Sequence, residues 1–202
     1  MLYTIKNESV SVTIDTLGAQ MQSITGTDGT EYLWYGDAAY WGGRATNLFP
    51  YVGRMTDGTY IYNGKKYQMG PHGFARHMEF AAQQESDHCV VFTLTDTEST
   101  REKYPFQFAF SVVYTIIGAE LRITYRVENK GGETMYFGLG GHPGFRLPLE
   151  EGKCFEDYSI TFAQPSHPSR ALLAPSYMMS GVEKLFPLEN DTTLPLRHDL
   201  FD

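Results

Sequence analysis

Cysteine is nearly missing from this sequence of 202 residues, with Cys89 and Cys154 the whole supply. Two thiols far apart in the chain make neither a disulfide framework nor a zinc pattern, and both read as free, buried thiols. Positive charge is scarce as well: 16 Lys plus Arg face 24 Asp plus Glu, for a formal net charge of −8. No basic run is longer than Lys65-Lys66. Polyanions are held mainly by neutralising their phosphates, so nucleic acid is disfavoured as a partner, and an anionic membrane surface likewise. Long apolar runs are also lacking. The best, Phe108 to Ile117, is interrupted by Ser111 and Thr115 and is too short to cross a hydrocarbon layer of about 30 Å. Met1-Leu2-Tyr3-Thr4-Ile5-Lys6 has no basic region followed by an apolar one, so no signal peptide is visible and a soluble cytoplasmic protein is expected. Helical periodicity is almost absent, the exception being a short piece over 97–104 that Pro105 ends.

What is present points to a packed β protein. At 42% hydrophobic and 20% charged, with 13 Phe, 14 Tyr and 2 Trp, the chain can bury a core and is not disordered. Alternation with period two recurs at Val10, Val12 and Ile14, at Phe110, Val112 and Tyr114, and at Leu121, Ile123, Tyr125 and Val127, which predicts strands with one buried face. Asn63-Gly64 stands between Tyr60-Ile61-Tyr62 and Lys65-Lys66-Tyr67, and this dipeptide tolerates the two positive φ angles of a type I′ hairpin turn. Further strands are expected around 17–24, 78–84, 89–95, 134–139 and 155–162. No repeat or linker divides the chain, so residues 1–202 read as one all-β domain, a large antiparallel two-sheet sandwich.

Three segments break the strand pattern with glycine, proline, aromatic and ionisable residues. In Asn47-Leu48-Phe49-Pro50-Tyr51-Val52-Gly53-Arg54, Gly53 permits a turn or a close approach, and Arg54 offers a rigid fork of donors suited to several hydroxyls. In Gly70-Pro71-His72-Gly73-Phe74-Ala75-Arg76-His77 a histidine sits between a proline that fixes the chain and a glycine that clears space. His72 and His77 lack the i, i+4 spacing of a helical zinc site, so metal binding is disfavoured. In Gly138-Leu139-Gly140-Gly141-His142-Pro143-Gly144-Phe145 the proline extends the chain at His142, and the preceding glycines remove side chains from around its ring. Imidazole gives or takes a proton near neutrality. Two positioned histidines and an arginine among aromatic faces suit a small polyhydroxylated ligand.

In this order the three segments resemble the aldose 1-epimerase (galactose mutarotase-like) family, in particular a bacterial branch associated with lactose operons. Gly18-Ala19, Glu31-Tyr32-Leu33-Trp34, Trp41 and Tyr104-Pro105-Phe106 extend the resemblance over essentially the whole chain. It implies a supersandwich fold with a hexose in an open cleft, and anomer interconversion by acid/base ring opening without metal or redox cofactor. It further implies His142 as the acid, His72 as the group that orients the sugar, and Arg54, Asn47, Arg76, Phe74, Phe145 and Asp202 as sugar-contacting residues. The family's general base is a glutamate on strands that would follow residue 202, so the C-terminal strands are expected to be missing. Glu150, Glu151 and Glu156 read as a solvated loop and not as substitutes. A hexose 6-phosphate as substrate, or a non-catalytic carbohydrate-binding module, are the alternatives.

Overall fold

The computed structural model describes residues 1–201, and Asp202, the expected sugar-binding aspartate, lies outside the described residues. The chain forms two compact units, the first being Met1–Arg146 and the second running from Leu147 onward. In the first unit the strands are β1 Leu2–Lys6, β2 Val10–Asp15, β3 Gln20–Gly26, β4 Ala45–Leu48, β5 Thr59–Tyr62, β6 Lys65–Gln68, β7 Ala81–Ser86, β8 Cys89–Thr95, β9 Phe108–Ile117, β10 Glu120–Asn129 and β11 Gly140–Pro143. A single helical turn, α1 Glu98–Arg101, is capped reciprocally by Thr97 and Thr100, each side chain accepting from the other's backbone N–H. It is shorter than the expected 97–104 because the chain turns toward Pro105, which cannot continue a helix.

Two antiparallel sheets face each other, one in the order β1-β2-β3 and the other β10-β9-β8-β7. Ile5, Val12, Ile14 and Met21 from the first meet Val90, Phe92, Phe110, Val112 and Tyr114 from the second in one buried cluster, and the ring of Tyr3 stands edge-on to Phe92 at 5.7 Å. The period-two residues thus supply the inner faces of a sandwich. Strand β9 departs from alternation, with Ala109 and Val113 buried along with Phe108, Phe110, Val112 and Tyr114. This is the pattern of a strand covered on both faces. At the centre Phe49, with no exposed surface, stacks on Phe110 at 4.6 Å and 21° and also touches Phe74, Tyr104 and Phe108.

Two smaller ribbons complete this unit. β5 and β6 form the expected hairpin, with Tyr62 opposite Lys65 and positive φ at Asn63 (48°) and Gly64 (76°). β4 pairs with β11 in the register Gly140 to Leu48, Gly141 to Asn47, His142 to Thr46 and Pro143 to Ala45. The second unit contains β12 Ser159–Thr161, β13 Ser169–Leu173, β14 Met179–Leu185 and β15 Thr193–Pro195, paired β12 with β15 and β13 with β14. Its side chains are largely exposed, Leu188 and Leu196 being buried exceptions.

Three expectations are corrected. Residues 134–139 alternate like a strand but form none. They are held instead by single bonds, Gly138 N–H to Pro50 O at 2.7 Å and Tyr104 Oη to Tyr136 O at 2.8 Å, and ladder pairing starts where β4 offers a partner at Gly140. The stretch 155–162 begins as a 3₁₀ turn, Phe155–Asp157, because the Asp157 carboxylate accepts from the Cys154 N–H and closes a local turn. For the same reason Cys154 is exposed and not buried, while Cys89 is half-buried.

The aromatic stack around Phe49 sets a stability prediction. Phe110→Ala removes a fully buried ring from it and is expected to cost about 3–5 kcal/mol, read as a lower urea midpoint at unchanged m value. A loss under about 1 kcal/mol would show that this stack does not hold the unit together.

Candidate active site

His142 owes its position to the β4/β11 ribbon, and the glycines around it have a more specific role than emptying space near its ring. A Cβ on Gly141 would lie 2.9 Å from the Tyr125 hydroxyl, which here donates to Asn47 Oδ1 at 2.9 Å. On Gly144 it would lie 3.0 Å from Trp34 Cβ and 3.1 Å from the Trp41 ring. Each glycine therefore admits a large side chain that supports the ribbon. One of these, Trp41, lies against the exposed His142 ring, with centroids 4.9 Å apart and planes tilted by 51°.

His72 is held in the left-handed backbone region, at φ +64°. For a residue with a side chain this conformation costs on the order of 1–2 kcal/mol and needs support from its surroundings. Two reciprocal bonds to one residue supply it: His72 N–H donates to Gly53 O at 2.8 Å, and Gly53 N–H donates to His72 Nδ1 at 3.1 Å. The next residue, Gly73, has φ +73°, and a Cβ there would strike the Phe49 carbonyl and stand 2.7 Å from Pro50 N. That carbonyl accepts from both Phe74 N–H (3.0 Å) and Ala75 N–H (3.1 Å). The loop carrying His72 is thus clamped onto residues 49–53, the extension of β4.

The bond from Gly53 also fixes chemistry. A backbone N–H can only donate, so Nδ1 of His72 carries no proton, and the neutral ring is protonated at Nε2. His72 titrates below the ordinary 6.5: burial disfavours its cation first, and the charges of Arg76, His142 and Arg54 add to this. At neutral pH it is a hydrogen-bond donor through Nε2 and not a cation.

The two imidazoles, 70 residues apart in sequence as numbered, come together with ring centroids 5.9 Å apart and planes at 70°. Arg54 and Arg76 bear electrostatically on His72, and Arg76 is oriented by donating from Nη2 to Pro71 O at 3.0 Å. None of the ion pairs among the described residues involves either imidazole. Among the described residues no cluster of three or more His, Cys, Asp or Glu could hold a metal ion.

Two of the expected sugar contacts are also tied into the fold. Asn47 is 2% exposed, and its amide is engaged with Gly18 O, Ala19 O, Tyr114 Oη and Tyr125 Oη, so it ties the β2–β3 turn to β9 and β10. Phe74 packs in the core against Phe49, Tyr104 and Phe108. Phe145 is 66% exposed. Glu150, Glu151 and Glu156 are exposed as expected. A cavity of about 460 Å³ lined by Tyr51, Tyr60, Tyr62, Tyr104, Phe106 and Tyr136 includes neither imidazole, whereas His142 lines a smaller hollow of about 130 Å³ with Met21, Ala45, Asn47 and Tyr125. Sequence reasoning missed two participants, the Trp41 ring and the Gly53 amide. For Trp41 a signal was available: Gly43 follows two residues later, where a Cβ would lie 2.6 Å from the indole.

The family model described as aldose 1-epimerase matches residues 1–164. The plasmid and chromosomal LacX proteins of Lactococcus lactis subsp. lactis are 35% and 36% identical over all of this chain, which spans 70% of their length. Among solved structures, a galactose mutarotase related enzyme from Lactobacillus acidophilus superposes with a TM-score of 0.93 at 37% identity, over 100% of this chain and 67% of that one. A galactose mutarotase-like protein from Lactobacillus casei gives 0.90 at 34% identity, over 99% and 69%. Family profile, relatives of more than one-third identity and a shared β-sandwich agree: the chain belongs to the aldose 1-epimerase family.

Proposed function

We propose that this protein interconverts the α and β anomers of a free hexose, with His142 and His72 acting on one sugar. The observation that carries the reading is the meeting of the two rings 5.9 Å apart beside Trp41, with His142 exposed and His72 a neutral donor. In the reaction the proton of the C1 hydroxyl passes to a base, and His142 gives a proton to the ring oxygen. The C1–ring oxygen bond breaks as C1 becomes a carbonyl carbon. Rotation about C1–C2 and reclosure on the other face return both protons and leave the opposite anomer. No electrons are transferred. His72, through its Nε2–H, holds an oxygen of the sugar in register, and Arg54 binds hydroxyls. The reading assigns the base to a glutamate, and Asp202 and Phe145 to the sugar's periphery.

One observation favours a second substrate, a hexose 6-phosphate: two guanidinium groups, those of Arg76 and Arg54, bear electrostatically on His72. Competition by inorganic phosphate that weakens as salt rises would select it, because screening acts on a phosphate contact and not on neutral hydroxyls.

Polarimetry of freshly dissolved α-galactose tests the main reading. The protein should speed the approach to anomeric equilibrium, and His142→Asn should slow the catalysed rate by roughly 10²- to 10⁴-fold. An unchanged rate in the variant would reject His142 as the acid, and galactose binding without any acceleration would make the protein a carbohydrate-binding module. His72 has its own test in long-range ¹H–¹⁵N spectra of the imidazoles. We expect the Nε2–H tautomer at pH 7 and a midpoint below 6.5. Because the folded value is lowered, the contribution to stability is complete above the unfolded value of about 6.5 and is lost as pH falls through the window beneath it. A proton on Nδ1, or a midpoint above 6.5, would contradict the clamp by Gly53.

A further inference from the structure

Buried hydroxyls in native proteins are nearly always paired, and one left without a partner forfeits a hydrogen bond that water would have supplied. Thr46 is such a case: the residue is 7% exposed, and its Oγ1 is buried with no hydrogen-bond partner. Its location is informative. Thr46 lies directly opposite His142 in the β4/β11 ladder, and directly opposed residues of an antiparallel pair project from the same face with Cβ atoms about 4.5–5.5 Å apart. The hydroxyl can both donate and accept.

His142 has the complementary deficiency. Among the described residues its ring makes no side-chain hydrogen bond; its ring neighbours are the tilted Trp41 ring at 4.9 Å and His72 at 5.9 Å. A ring packed by aromatic contacts alone has its plane restricted but its tautomer undetermined, since that is set by the hydrogen bond made at the second nitrogen. An acid that must present one chosen nitrogen to a sugar oxygen needs such a bond at the other. The one buried side-chain oxygen without a partner in the described ribbon stands across from that ring.

We propose that Thr46 is the positioning residue for His142: when a sugar occupies the site, the Thr46 hydroxyl pairs with the imidazole nitrogen turned away from the sugar and fixes which nitrogen delivers the proton. This rests on the reading of His142 as the acid. It adds that β4 supplies the hydroxyl that orients it, so that one cross-strand pair unites acid and orienter.

Two substitutions test it in the full chain. Thr46→Val keeps shape and β-branching but removes the hydroxyl, and Thr46→Ser keeps the hydroxyl. In galactose-saturated protein, Val should change the His142 ¹⁵N tautomer ratio and lower kcat roughly tenfold with KM little altered, while Ser leaves both near the parent values. Urea midpoints should not fall for Val, because an unpaired buried hydroxyl is removed. The proposal is overturned if Val leaves the His142 tautomer ratio and kcat unchanged, or if Ser fails as badly as Val. A protein that shows no catalysis at all would bear on the proposed function and not on this pairing, and the tautomer comparison in galactose-saturated protein would then decide the Thr46 pairing by itself.

Discussion

The reciprocal hydrogen bonds between Gly53 and His72 are the constraint on which the rest of the site depends. They join two segments that otherwise pair only through the isolated bridge of Phe49 with Gly73, hold a histidine in a backbone conformation it would not otherwise keep, and select its tautomer. Gly53 can do this because it continues from Phe49, whose ring is locked in the core stack and whose carbonyl receives two N–H groups from the His72 loop. The line from core to chemistry is therefore short. Aromatic packing fixes Phe49, its carbonyl fixes residues 73–75, and the amide four residues on fixes an imidazole.

His142 is positioned by a different route. The β4/β11 ribbon sets its register, and small residues let Tyr125 and Trp41 close in from either side. β4 is common to both routes: it pairs with the strand carrying His142 and runs on into the segment that clamps His72. That explains how two histidines far apart in the chain become neighbours without any direct bond between them. Burial first, and then the positive charges around it, keep His72 neutral.

Much of this was legible in the sequence, for identifiable reasons. The sandwich strands showed through because one buried face imposes period two, and the Asn63-Gly64 turn because few dipeptides accept its dihedrals. His72 and His142 stood out by their glycine and proline neighbours. What was not legible has equally physical reasons. Asn47 and Phe74 lie in motif segments, but a motif does not tell which contacts a side chain makes within the fold, and here Asn47 is bonded to the Gly18-Ala19 turn and Phe74 packs on Phe49. Residues 134–139 have a strand's alternation without a partner to pair with. The Gly53 amide could not be anticipated, since a backbone group carries no side-chain signature, and Thr46 matters by register alone.

On the proposed function both imidazoles serve one sugar. Titrating protein labelled with ¹⁵N in its histidine rings with galactose tests this most directly. The account predicts that the His72 and His142 ring signals, together with the Gly53 amide, move along one saturation curve with a single Kd. Movement of only one ring, two different curves, or a response confined to the tyrosines of the 460 Å³ aromatic cavity would contradict it.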